Sequence, residues 1–138
     1  MSSKARILVV DDNRSLVRVL EHLLEKEGFE VLTAFDGPEG LQKAREEKPD
    51  LIILDIIMPE MDGYEVCRLL QRDPDTARIA VLMLTRLDLK RFTSRDEERI
   101  EGLQAGAIDY LSKPVTAKGL LDRVRGLLWL SGPEEERR

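Results

Sequence analysis

Leu51-Ile-Ile-Leu-Asp-Ile-Ile-Met-Pro-Glu-Met-Asp-Gly63 opens with four consecutive apolar residues and then meets an acid, Asp55. A strand with one wet face alternates apolar and polar side chains. An unbroken apolar run this short instead predicts a strand covered by helices on both faces, as in a parallel sheet. Leu51 to Leu54 is therefore expected at the centre of the sheet. Asp55 to Asp62 then forms a loop, and Val66, Leu69 and Leu70 recur at helical spacing within a helix from Gly63 to Arg72 that Asp73-Pro74 ends.

The same alternation extends in both directions. Upstream, Arg6 to Val10 reads as a strand, followed by a helix with Leu16, Leu20, Leu23 and Leu24 on one face until Gly28 stops it. Glu30 to Ala34 is a second strand, after which Asp36-Gly37-Pro38 starts a helix that turns Leu41 and Ala44 inward. Downstream, Ile79 to Leu84 is a fourth strand. Ser94 with Glu97 opens a helix carrying Ile100 and Leu103 and closed by Gly106, and Ile108 to Leu111 is the fifth strand. Thr116 caps a last helix with Leu120, Leu121, Val124, Leu127 and Leu128; Trp129 and Leu130 are ranked first as the end of its core stripe, ahead of a helix continuing toward a further domain or a dimer contact. Five strand–helix units with short connections predict an α/β fold: a three-layer, doubly wound, five-stranded parallel sheet of flavodoxin-like order 2-1-3-4-5. Residues 1–131 form the expected domain, and 132–138 a charged C-terminal tail or the start of a linker.

Composition narrows the function. The 138 residues suit one domain, and every apolar run is far shorter than the roughly 20 residues that cross a bilayer. The amino terminus lacks a secretory pattern, and Cys67 is the only cysteine, so a reducing cytoplasm is expected. The net charge of −5, from 22 basic and 27 acidic side chains spread along the chain, argues against direct nucleic-acid or membrane binding.

In an open α/β sheet the ligand crevice lies at the carboxyl ends of the strands, where strand order reverses. That edge receives Asp11 and Asp12 from strand one, Asp55 from strand three, Thr85 from strand four and Lys113 from strand five. Three carboxylates crowded together repel one another unless a cation neutralises them. Oxygen donors without thiolate or imidazole favour Mg²⁺ over zinc or copper. A carboxylate can also attack phosphorus, and Asp55 is the best-placed nucleophile. Lys113 supplies an ammonium for the charge on a transferring phosphoryl group, and the Thr85 hydroxyl a hydrogen-bond donor.

Asp11-Asp12, the run Asp55-Ile-Ile-Met-Pro-Glu-Met-Asp-Gly63, Leu84-Thr85 and Asp109-Tyr-Leu-Ser-Lys-Pro114 together resemble a bacterial two-component response-regulator receiver of the CheY-like family, and the likeness covers nearly the whole chain. The resemblance implies that Asp55 is the phosphoacceptor and that Asp12, Asp55 and the backbone carbonyl of Ile57 bind Mg²⁺ directly, with Asp11 acting through water. It implies further that Lys113 contacts the phosphoryl group, that Thr85 and Tyr110 move on activation, and that Lys113–Pro114 is cis. A sensor histidine kinase or phosphotransfer protein is the implied donor. The face of the fourth helix, fifth strand and fifth helix is the implied site for an output partner or fused effector, and a homodimer is possible.

Two departures from the family pattern stand out. The stretch from Thr85 to Lys113 is longer than in typical members, the extra residues falling in Arg86 to Thr93, which is expected to be mobile. Arg86 also occupies a position that is commonly small. Its bulk narrows access to Asp55, or turns to solvent, or adds a guanidinium clamp on the phosphate. Several simpler roles compete. Asp11-Asp12 taken alone is a helix cap, Met58 and Met61 are packing residues, and Pro59, Asp62 and Gly63 shape a turn. His22, among Glu21, Glu25 and Glu27, is a solvated helix residue. The alternative function is a receiver-like interaction module that works without phosphorylation.

Overall fold

The structure is a computed structural model describing residues 4–85, 108–112 and 116–131. Strands β1 (Arg6–Val10), β2 (Glu30–Ala34), β3 (Leu51–Asp55), β4 (Ala80–Thr85) and β5 (Ile108–Ser112) form one sheet in the order β2-β1-β3-β4-β5. All four pairings are parallel. Helices α1 (Arg14–Lys26), α2 (Gly37–Glu47) and α3 (Gly63–Arg72) and a C-terminal helix (Ala117–Ser131) complete the described elements. The order is the one expected from the sequence, with β3 in the middle and every one of its residues buried.

Alternate residues of a strand leave the sheet on opposite faces, and the core follows that parity. Leu8, Val10, Ile52, Leu54, Val81 and Met83 pack against Leu41 and Ala44 of α2 and Val66, Cys67 and Leu70 of α3. Their neighbours Ile7, Val9, Leu51, Ile53, Leu82 and Leu84 pack against Val17, Leu20 and Leu24 of α1 and Leu120, Val124 and Leu127 of the C-terminal helix. Each large apolar side chain so buried contributes roughly 1.5–3 kcal/mol. The two faces together make the three layers.

Helix entry is set by short polar side chains. Asp36 Oδ1 accepts from the Glu39 amide at 2.8 Å, Asp62 Oδ1 from Glu65 at 2.9 Å, and Thr116 Oγ1 from Gly119 at 3.0 Å. Gly28, at φ +94°, reverses the chain after α1, a conformation costly for any residue with a Cβ.

Some expectations need correction. Strand β4 begins at Ala80, because the Ile79 amide donates to Thr76 O at 3.1 Å in the preceding turn. Val17, Tyr64 and Cys67 join the core, whereas Leu16 and Leu23 are only partly buried beside it. Trp129 and Leu130 do not finish the core stripe: they are 54% and 56% exposed. The predicted helix between Ser94 and Gly106 lies outside the described residues.

Burial pushes the Cys67 thiol up from 9.0 to about 12, so at neutral pH the sulfur is a protonated, unreactive apolar group. Ellman's reagent at pH 8 is expected to titrate no thiol in the folded protein and one per chain after unfolding. Rapid labelling of the folded protein would contradict this placement.

Candidate functional site

The sheet register assembles the site. Val10 of β1 pairs with Leu54 of β3, so the next residues, Asp11 and Asp55, emerge side by side at the carboxyl edge. Both are 1% exposed, while Asp12 lies at the surface. The Asp11 amide donates to Ala34 O at 3.1 Å, extending the β1–β2 ladder past the strand. Its Oδ1 accepts from the Asn13 amide at 2.9 Å, and Asn13 Oδ1 accepts from Leu16 N at 3.1 Å. The cap of α1 is therefore Asn13, and Asp11 is held by a turn immediately before it. Sequence reading missed Asn13; a short amide residue directly ahead of the helical run was the available signal.

One carboxylate oxygen from each of Asp11, Asp12 and Asp55 lies within 4.8 Å of the other two. Two of the three acids are sealed from solvent, where like charges are poorly screened. A hard cation with oxygen preference fits this donor set, which holds neither imidazole nor thiolate: Cys67 is in the core and His22 is exposed on α1.

The loop after β3 is tied at both ends. Ile56 N donates to Leu84 O at 3.2 Å, and Gly63 N donates back to Ile56 O at 2.8 Å. Between them the Met61 amide reaches Pro59 O at 2.8 Å across Glu60, whose φ of +68° makes a tight three-residue turn. Met58 and Met61 pack on the core, as expected of them. Gly63 has no room for a side chain: a Cβ there would meet Asp55 O at 2.5 Å and Ile56 Cα at 2.9 Å. The first turn of α3 thus rests on the backbone that carries Asp55.

The remaining candidates fall on or beyond β4 and β5. Asp55 pairs with Leu84, Thr85 with Ser112, and Met83 with Tyr110, so the backbones of Thr85 and Ser112 end at the same edge as Asp55. Arg86 to Thr93, Lys113 and Pro114 lie outside the described residues.

A family model described as "Response regulator receiver domain" matches residues 7–125. The chain belongs to that family. Receivers are the phosphoryl-accepting modules of two-component signalling, and this chain is one by sequence and fold alike. It is 49% identical over 123 residues to "Response regulator PleD" of Caulobacter vibrioides, covering 89% of this chain and 26% of that protein. It is 43% identical over 125 residues to the alkaline phosphatase synthesis transcriptional regulatory protein PhoP of Bacillus subtilis, covering 89% of this chain and 48% of that one. The receiver thus spans between a quarter and a half of the length of these relatives. Among solved structures it resembles a CheY-like receiver domain protein from Methanospirillum hungatei, with TM-score 0.83, 30% identity, and 97% and 99% of the two chains covered. Chemotaxis protein CheY4 of Vibrio cholerae gives TM-score 0.80 at 31% identity, with 91% and 99% covered.

Proposed function

We propose that Asp55 accepts a phosphoryl group from a phosphohistidine on a sensor histidine kinase or phosphotransfer protein, and that Asp11, Asp12, Asp55 and the Ile57 carbonyl hold the Mg²⁺ this requires. The observation that carries the reading is the trio of carboxylates within 4.8 Å at the edge where β1 and β3 end. A carboxylate oxygen of Asp55 forms the new bond to phosphorus as the donor's phosphorus–nitrogen bond breaks, and the imidazole leaves with the electron pair and takes a proton. Bound at the trio, Mg²⁺ would neutralise charge on the phosphoryl oxygens.

The other roles follow from placement along the chain. Lys113, which follows Ser112 in the chain, supplies the ammonium that neutralises charge on the phosphoryl group. Thr85 donates its hydroxyl to the phosphoryl group, and Tyr110, two residues before Ser112 on β5, reports the change to the output partner or fused effector. The protein acts in the cytoplasm as a switch, turning over no substrate except its own acyl phosphate. Among the described residues no helix is long and apolar enough to cross a membrane. Residues 1–131 constitute the receiver, and 132–138 a tail or linker.

Incubation with acetyl phosphate and Mg²⁺ is expected to add about 80 Da, the mass of one phosphoryl group, to the intact protein. Chelation of Mg²⁺ or Asp55→Asn is expected to abolish the gain. No adduct at saturating donor would favour a module that works without phosphorylation.

A further inference from the structure

Met61 is the most exposed sulfur-bearing side chain among the described residues. Cys67 is buried, and its thiol, pushed up to about 12, offers no thiolate at neutral pH. Met83 in β4 is 0% exposed and Met58 7%. Met61 is half-buried and lines an open groove of about 440 Å³ together with Pro38, Leu41, Gln42, Arg45 and Glu46 of α2. A thioether has no proton to lose before it reacts with an oxygen-donating oxidant, so access decides which methionine is modified. The groove gives that access to Met61.

The same side chain braces the loop that presents Asp55. A Cβ at Gly37 would lie 3.0 Å from Met61 Cβ and 3.2 Å from its Cγ, so the stem of Met61 fills the space against the first residue of α2. Its amide reaches back to Pro59 O at 2.8 Å across Glu60, and the next residue, Asp62, caps α3 through Glu65 N. Met61 therefore joins α2 to the stretch between Asp55 and α3, and Ile57 lies within that stretch. No spare volume surrounds the stem, and a contact this tight transmits a change in the side chain to the backbone.

We infer that Met61 is an oxidation site through which an oxidant of the peroxide class loosens the loop after β3 and lowers the cation affinity of the acidic trio. A sulfur lone pair attacks one peroxide oxygen, and the sulfur–oxygen bond forms as the oxygen–oxygen bond breaks. The departing hydroxide takes the proton from the attached oxygen and leaves as water. Sulfur is oxidised by two electrons and the peroxide reduced by two. The sulfoxide is polar and larger, does not suit the apolar floor of Pro38 and Leu41, and turns out to water, withdrawing the brace. The consequence for the cation rests on the proposed function, whereas the site of oxidation and the loosened loop rest on the groove and the packing alone.

Limited hydrogen peroxide treatment followed by peptide mass spectrometry is expected to place the gain of about 16 Da, one oxygen atom, on Met61 well before Met58 or Met83. NMR of the oxidised, metal-free protein is expected to show shifted amides at residues 37–41 and 56–63. Thermal melts across a Mg²⁺ titration are expected to need at least about tenfold more metal after oxidation, and methionine sulfoxide reductase to restore the original demand. Met61→Leu, which keeps the bulk without the thioether, is expected to bind Mg²⁺ as before and to be indifferent to peroxide. Met61→Gln, polar from the outset, is expected to show the weakened binding with no oxidant present. Oxidation of Met58 or Met83 as fast as Met61, unmoved amides around the loop, an unchanged Mg²⁺ demand in the oxidised protein, or peroxide sensitivity that survives Met61→Leu would each overturn the inference. An untreated protein that ignores Mg²⁺ would instead remove the proposed function, and the inference would then stand or fall on the sulfoxide map and the amide shifts.

Discussion

Gly63→Ala is expected to destabilise the protein by about 3 kcal/mol, combining an overpacked contact with a lost hydrogen bond. The added methyl would sit 2.5 Å from Asp55 O and 2.9 Å from Ile56 Cα, and both are backbone atoms that no rotamer change can move aside. The first turn of α3 must lift away, breaking the 2.8 Å bond from Gly63 N to Ile56 O and disturbing the segment that presents Asp55. Gly126→Ala is the matched control. Nothing lies within 4 Å of a Cβ at that exposed position inside the C-terminal helix, so the change should stabilise by up to about 1 kcal/mol through helix propensity. Urea unfolding of both variants separates the two cases. Equal behaviour would show that the contact at Gly63 is not tight in solution.

The second large effect concerns the cation. At a hundredfold excess over its dissociation constant, Mg²⁺ is expected to raise the unfolding free energy by about 2.7 kcal/mol, because only the folded chain gathers the three acids. Asp12→Asn removes a ligand at the surface, where little packing depends on it. It should weaken Mg²⁺ binding at least about tenfold, or about 1.4 kcal/mol, while leaving the metal-free stability nearly unchanged. Thermal melts across a Mg²⁺ titration read both quantities. A wild-type protein indifferent to Mg²⁺ would mean that the acidic trio is not a cation site.

Much of the fold was legible because the strands announce themselves as short apolar runs. Leu51 to Leu54 can be dry on both faces only at the middle of a covered sheet, and β3 lies there. The acids were legible for the same reason, since a polar residue that ends an apolar strand must sit at the sheet's edge. Other features depend on geometry that residue types do not encode. Periodicity gives the buried face of a helix but not where the packed surface beneath it ends. Trp129 is turned about 200° from Leu127 on the helix and stands exposed. The cap of α1 fell to Asn13 and not to either aspartate, a choice made by backbone conformation. Nothing in Pro59-Glu60-Met61 signals that Glu60 takes a positive φ, because no glycine marks the turn. The closeness of Gly63 to Asp55 likewise emerges only when strand and helix are in place.

The most direct measurement is the location of the phosphoryl group. Protein treated with acetyl phosphate is reduced with borohydride, which converts an aspartyl phosphate to homoserine, and its peptides are sequenced by mass spectrometry. Homoserine is expected at position 55 only, formed with Mg²⁺ and absent without it. Modification at another residue, or at Asp55 independently of the metal, would contradict it.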